Sequence, residues 1–319
     1  MFVHFQITEL GQNSKDMRIV KIEKYKDGYL CAPRKGLGIP SLIDPRLAKK
    51  FWGLWLNNWM LYPYFLWLAY VGTGFHGWQI QSASRSVQGE LWLALCKLWE
   101  GAPLPQGTGR TDAGVHANAQ GVLIWMHKEW EPYRLLAAIN AHLPREIRVR
   151  EVLLAPDGFF PRHHAVAKRY VYKLDEGPSP NPFMEFRRWH VFGLKPIDRA
   201  EISDAAGHLI GTHDFSSFRC KECSAETTVR TIFDIRLETN GSGLNIVFEG
   251  DRFLMHQVRI IVGTLVEVGR GKYQSESIPR IIESKNRSMA GITAPPEGLY
   301  LEKIWYSSEW GIGEPSPWS

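Results

Sequence analysis

The run Gly109-Arg110-Thr111-Asp112-Ala113-Gly114-Val115-His116-Ala117 sets one carboxylate, Asp112, two residues from a fixed cation, Arg110, in a turn flanked by glycines. An aspartate in such a loop is open to a substrate. A guanidinium beside it holds it ionised, so it can act as a nucleophile at neutral pH. The same composition also makes an Asx turn between two regular elements, the plain reading of an Asp- and Gly-rich loop. Two further places carry chemistry. Tyr170 and Tyr172 are two apart in a basic, apolar run, so on a strand they share a face, where tyrosines ordinarily pack into a core. Arg259 interrupts a long apolar stretch; a buried guanidinium without an anionic partner is very costly, so an acid must face it.

Other clusters point to less. Gly72-Thr73-Gly74-Phe75-His76-Gly77 is a literal G-x-G-x-x-G after a strand, but a dinucleotide site needs a helix to open inside the run. Here Trp78–Arg85 reads as a polar loop, and the helix begins near Ser86. Cys220-Lys221-Glu222-Cys223 is a lone C-x-x-C without the second pair of ligands that zinc requires. With Cys31 and Cys96 it makes four cysteines, which read as reduced and structural rather than as a secreted disulfide framework. The pair His163-His164 has no further ligands at useful spacing and reads as a surface loop. No metal or cofactor is expected.

These groups must be held by a fold, and the chain is long enough for one large domain or two ordinary ones. It is 44% hydrophobic and 22% charged, a soluble globular balance. A net charge of +5 and a pI of about 8.9 suit an anionic partner. Phe51–Gly72 is apolar enough to suggest a membrane span, yet Asn57, Asn58 and Pro63 interrupt it, and a span needs about 20 apolar residues. No secretory signal is visible at the N-terminus. A cytoplasmic chain without a membrane segment is expected.

Apolar periodicity predicts a strand at Phe65–Val71. A helix follows at Ser86–Leu98, with Ser86 as N-cap and Val87, Leu91, Leu95 and Leu98 on one face. Then come a strand at Val122–Met126, a helix at Pro132–Ile139 and a strand at Ile147–Leu153. A second round starts with a strand at Arg169–Leu174 and a helix from Asp198 to about Ile210. Two strands follow, one alternating through Phe233, Ile235 and Leu237, the other through Leu244, Ile246 and Phe248. Phe253–Val268 predicts a buried helix, and Leu299–Tyr306 a closing strand. Each half mixes strands and helices in a split β-α-β manner.

In order along the chain, several stretches resemble the tRNA pseudouridine synthase I (TruA) family. Tyr70–Gln79 is similar to its first strand and loop, Ser86–Leu91 to the start of its first helix, and Gly109–Ala117 to its signature. Lys168–Tyr172 is similar to its basic-aromatic strand. Phe253–Arg259 with Val262–Leu265 is similar to its long C-terminal helix, and Thr293–Pro295 with Gly298–Leu301 to its closing segment. The resemblance covers roughly residues 62–306. Val71 and Pro161 depart from the family's usual Asp and Ala.

The resemblance implies an α/β (α+β) fold: two ferredoxin-like split β-α-β subdomains, residues 61–165 and 166–306, with joined antiparallel and mixed sheets and a central active-site cleft. Residues 1–60 are then an N-terminal extension of unknown role, or the product of a misassigned start with Met60 as the natural beginning, and 307–319 a tail. It implies uridine-to-pseudouridine isomerisation in the tRNA anticodon stem-loop, at positions 38 to 40, by a homodimer without a cofactor. Asp112 is the implied nucleophile and Tyr170 the tyrosine stacked on the target base. Arg259 is the implied partner of Asp112, and Arg110 is a contact to RNA phosphate that helps hold the nucleotide flipped out. By their charge, Lys168, Arg169 and Arg162 are further candidates for backbone contacts, or else solvated surface charges. A non-catalytic tRNA-binding or RNA-folding protein on the same scaffold is the rival reading, but a binder needs no nucleophile. A nucleoside glycosidase would need a second, paired carboxylate near Asp112, and the matched stretches offer none.

Overall fold

The computed structural model describes residues 61–81, 84–191, 196–241 and 243–315. The expectations for residues 1–60, and for the first part of Phe51–Gly72, lie outside them. Among the described residues no helix is long and apolar enough to cross a membrane. The second part of that stretch is strand β1 (Tyr62–Tyr70), in which Tyr64 to Leu68 are wholly buried. A strand covered on both faces reads as a continuous apolar run, which is the source of its membrane-like composition.

Strand β1 is the centre of the first half. It pairs antiparallel with β3 (His116–Met126) on one side and β4 (Ile147–Leu154) on the other. Helix α1 (Val87–Leu98) is started by Ser86, whose hydroxyl accepts from the Gly89 amide at 3.2 Å, and it buries Val87, Leu91, Ala94 and Leu95. Helix α2 (Pro132–His142) has proline in its first turn, and the Glu131 carboxylate caps the amides of Tyr133 and Arg134. A two-residue strand, β2 (Gln106–Gly107), adds to β3.

A short helix, α3 (Pro161–His164), leads into β5 (Ala165–Asp175), the axis of the second half. The two-residue β6 (Trp189–His190) pairs with β5. Then follow α4 (Arg199–Gly207), capped by Asp198, and β7 (Gly211–Asp214), β8 (Val229–Asn240) and β9 (Gly243–Gly250). Helix α5 (Gln257–Gly269) is buried along nearly its whole length, α6 (Ser277–Ser284) follows it, and β10 (Leu299–Tyr306) closes the chain's regular structure.

All these strands form one mixed ten-stranded sheet, with β4-β1-β3-β10-β5-β9-β8-β7 as its path. Strand β10 joins the halves. It runs antiparallel to β5 and meets β3 in parallel through Tyr300 opposite His116 and Leu301 opposite Ala117. One apolar cluster packs around β1, β3, β4, α1 and α2, and a second around β5, β8, β9, α4 and α5.

Three local expectations need correction. Helix α5 starts at Gln257, not Phe253: residues 253–256 form a turn that ends in His256, whose backbone is left-handed (φ 63°). The Gln257 side chain accepts from the Leu254 amide at 2.7 Å and holds that turn. In β8, a bulge between Ile232 and Asp234 turns Ile232 into the core and leaves Phe233 half exposed, which breaks the expected alternation. His163 and His164 lie in α3 rather than in a loop, and the His164 ring stacks on Trp310 at 4.1 Å.

Candidate active site

The Asp112 loop links β2 to β3, and the 71–78 segment holds it in place. The Trp78 amide donates to the Thr111 carbonyl, the Gly114 amide to Phe75, and the Tyr70 hydroxyl bonds the Thr111 hydroxyl at 2.8 Å. A side chain at Gly72 would collide with the Val115 carbonyl, and one at Gly77 with that of Thr111. Gly72 and Gly77 of the G-x-G-x-x-G run thus serve the close approach of two backbones, and Gly74 a left-handed turn (φ 85°), not a phosphate-binding helix.

Asp112 is left about one-fifth exposed, and two side chains from the second half face it. Arg259 Nη1 stands 3.1 Å from Asp112 Oδ2, and His256 Nε2 stands 3.6 Å from the same oxygen. Arg259 lies in the first turn of α5, and its guanidinium is doubly engaged: Nε donates to the Ala294 carbonyl at 2.8 Å. The Ala294 amide in turn donates to the Arg259 carbonyl. The fork is therefore aimed before any substrate arrives. Arg259 supplies a guanidinium to Asp112 from the second half, and Arg110 is an exposed residue of the Asp112 loop itself.

Tyr170 is on β5, partly exposed, with its ring edge-on to Phe253 at 5.2 Å. Burial pushes its phenol well above the usual tyrosine range, and Tyr70 and the Asp112 charge push it the same way. It stays protonated at neutral pH and is a hydrogen-bond donor there, not a ready base. Tyr172 is a core residue: wholly buried, with its hydroxyl donating to the Pro295 carbonyl at 2.7 Å.

Two histidines near the site have roles that the sequence reading did not assign. His116 is 1% exposed and stacks on Tyr300 at 4.5 Å. Its Nδ1 accepts from the Gly72 amide, so Nε2 carries the proton and donates to the Glu297 carbonyl. Burial, and then the Arg187 charge, lower its pKa to about 4. It is a neutral clip between the loop, the first half and the 294–298 strap. His256 has a different signal, a non-glycine residue held left-handed beside a carboxylate. Lys168 donates to the Thr108 carbonyl at 3.4 Å, which brings it to the Asp112 loop; Arg162 is exposed, and Arg169 is committed to Glu249 at 2.7 Å. Among the described residues no three side chains of His, Cys, Asp or Glu converge as a metal site, and Cys220 and Cys223 are free thiols.

A protein-family model described as tRNA pseudouridine synthase matches residues 205–307, which hold β7, β8, β9, α5, α6 and β10. The tRNA pseudouridine synthase A of Thermoanaerobacter sp. (strain X514) is 40% identical over 237 residues, 74% of this chain and 96% of that protein. The protein of the same name from Geotalea uraniireducens (strain Rf4) is 37% identical over 241 residues, 75% of this chain and 97% of its own length. That of Cereibacter sphaeroides (strain ATCC 17025 / ATH 2.4.3) is 37% identical over 251 residues, 77% of this chain and 97% of its own. Similarity at this level over nearly the full length of each relative, on a sheet that joins two split β-α-β halves, leads to one conclusion: the chain belongs to the tRNA pseudouridine synthase family, and is an isomerase.

Proposed function

We propose that the chain converts uridine to pseudouridine in the anticodon stem-loop of tRNA, at positions 38 to 40, with Asp112 as the nucleophile. The reaction breaks the C1′–N1 bond, turns the base and joins C1′ to C5. The C5 proton leaves and N1 regains one, so nothing is oxidised and no cofactor is required. Asp112 acts at the sugar, by direct attack or through a glycal-type route. The observation that supports this role most is the Asp112–Arg259 pair, 3.1 Å apart, formed between the two halves of the sheet and close to Tyr170. A carboxylate held by a pre-aimed guanidinium is oriented for chemistry in a way that surface binding of RNA does not require.

In this reading Tyr170 stacks on the target base and assists proton transfer at C5 through a hydrogen bond from its phenol, and Arg259 orients Asp112. Arg110, exposed on the same loop, contacts RNA phosphate and helps keep the nucleotide flipped out. Residues 61–165 and 166–306 act as the two subdomains, 307–319 as a tail and 1–60 as an extension. The enzyme works in the cytoplasm as a homodimer in which one tRNA touches both subunits. Mapping pseudouridine in tRNA from cells with and without this gene tests the reading. Loss confined to positions 38 to 40 supports it, and an unchanged map contradicts it.

A further inference from the structure

Lys168 is an anomaly of charge. It sits on β5 between Gly250 of β9 and Ile304 of β10, partly buried, and its ammonium donates to the Thr108 carbonyl at 3.4 Å. Among the described residues no carboxylate lies within ion-pairing distance of it; the charges that act on it are two more cations, Arg162 and Arg252. An ammonium wants three acceptors. Burial without a counter-ion, next to like charges, disfavours its charged form. The effect is large: burial first, and then the two arginines, lower its pKa to about 8.

The place is specific. A Cβ at Gly109 would stand 2.8 Å from the Lys168 ammonium, so the ammonium lies against the backbone of the glycine that opens the Asp112 loop. Lys168 and Tyr170 are two apart on β5 and share its face. The uncompensated charge therefore stands beside the loop that carries Asp112, on the side of the strand that presents Tyr170. Arg162 and Arg252 are both exposed and free to close on an anion from the solvent side.

We infer that Lys168, flanked by Arg162 and Arg252, is a binding site for one phosphodiester group of the RNA strand, the one that flanks the nucleotide at Asp112. This rests on the proposed function. The phosphate supplies the anion that the fold withholds. Lys168 is thus a substrate-positioning residue whose charge is kept for the complex.

The test combines a protein variant with an altered substrate. Wild-type enzyme is first assayed on unmodified tRNA; failure to form pseudouridine there refutes the proposed function itself. Two tRNAs are then assembled with one neutral methylphosphonate linkage, on the 5′ or the 3′ side of the target uridine. Lys168→Met should weaken tRNA binding roughly tenfold, the loss of one charge-assisted contact, and should lower the slope of log affinity against log salt by about 1. One of the two neutral linkages should weaken wild-type binding by a similar factor and leave Lys168→Met unaffected, because the contact is already gone. The melting temperature of Lys168→Met should equal or exceed that of wild type, as a lysine serving the fold would not allow; if that variant fails to fold, Lys168→Gln takes its place in the same cycle. Equal losses in both proteins at both linkages, or unchanged affinity and salt slope in the variant, would overturn the site.

Discussion

Asp112 and Arg259 are 147 residues apart in the chain and 3.1 Å apart in the fold, one from each half of the sheet. The same guanidinium also donates to Ala294, so its two contacts need a planar fork. Arg259→Lys keeps the charge but cannot make both contacts, and should lower kcat on tRNA by at least tenfold with a melting temperature close to wild type. Arg259→Leu should lose most activity and remain folded. A near-normal rate for Arg259→Leu would show that Asp112 does not depend on this partner.

His256 is left-handed and its Nε2 faces Asp112 at 3.6 Å. A non-glycine residue there costs of order 1–3 kcal/mol and persists only because its surroundings enforce it. Asparagine tolerates the left-handed region well but does not reach the carboxylate in the same way. His256→Asn should therefore hold the melting temperature while kcat falls several-fold at unchanged KM. An unchanged kcat would limit His256 to forming the turn.

His116 predicts a pH effect on stability. Its pKa is lowered to about 4 in the fold, against 6.5 for a free histidine. Between those values the unfolded chain binds the extra proton, so stability falls as pH drops from about 6.5 towards 4. His116→Asn should be less stable than wild type at pH 7, and the gap should narrow by pH 4.5. Urea midpoints at both pH values check this. A gap that stays constant would mean that His116 is charged in the fold or contributes no linkage.

Lys168 predicts a pH effect of the other kind. With a pKa lowered to about 8, the free enzyme loses this charge as pH rises through that value. An RNA phosphate binds only the protonated form, so tRNA affinity should fall between pH 7 and 9. Lys168→Arg, which cannot deprotonate there, should give a flatter profile. Parallel profiles for the two proteins would contradict this.

Much of the architecture was legible because local signals agree. Ser86 and Asp198 mark helix starts that the structure keeps, and Leu299–Tyr306 is a strand at the predicted limits. What escaped was non-local. Residues 116–121 of β3 are too small and polar to show a strand period, and they extend the strand because β1 and β10 flank them. The bulge that exposes Phe233 has no composition signal. Arg110 is two residues from Asp112 in sequence, but His256 and Arg259 reach it only through the turn before α5 and the first turn of that helix. That an acid must face Arg259 was evident from its apolar helix; which acid it is was implied by family resemblance, and the periodicity was silent on it.

Asp112 performs the chemistry in the proposed reaction. The direct measurement is tritium release from tRNA carrying C5-labelled uridine, run for wild type and Asp112→Asn beside a tRNA-binding titration. The variant should give no release above background and an affinity within a few-fold of wild type, because binding rests on many phosphate contacts and the bond-making step on one carboxylate. Release above a few per cent of wild type, with binding intact, would contradict it.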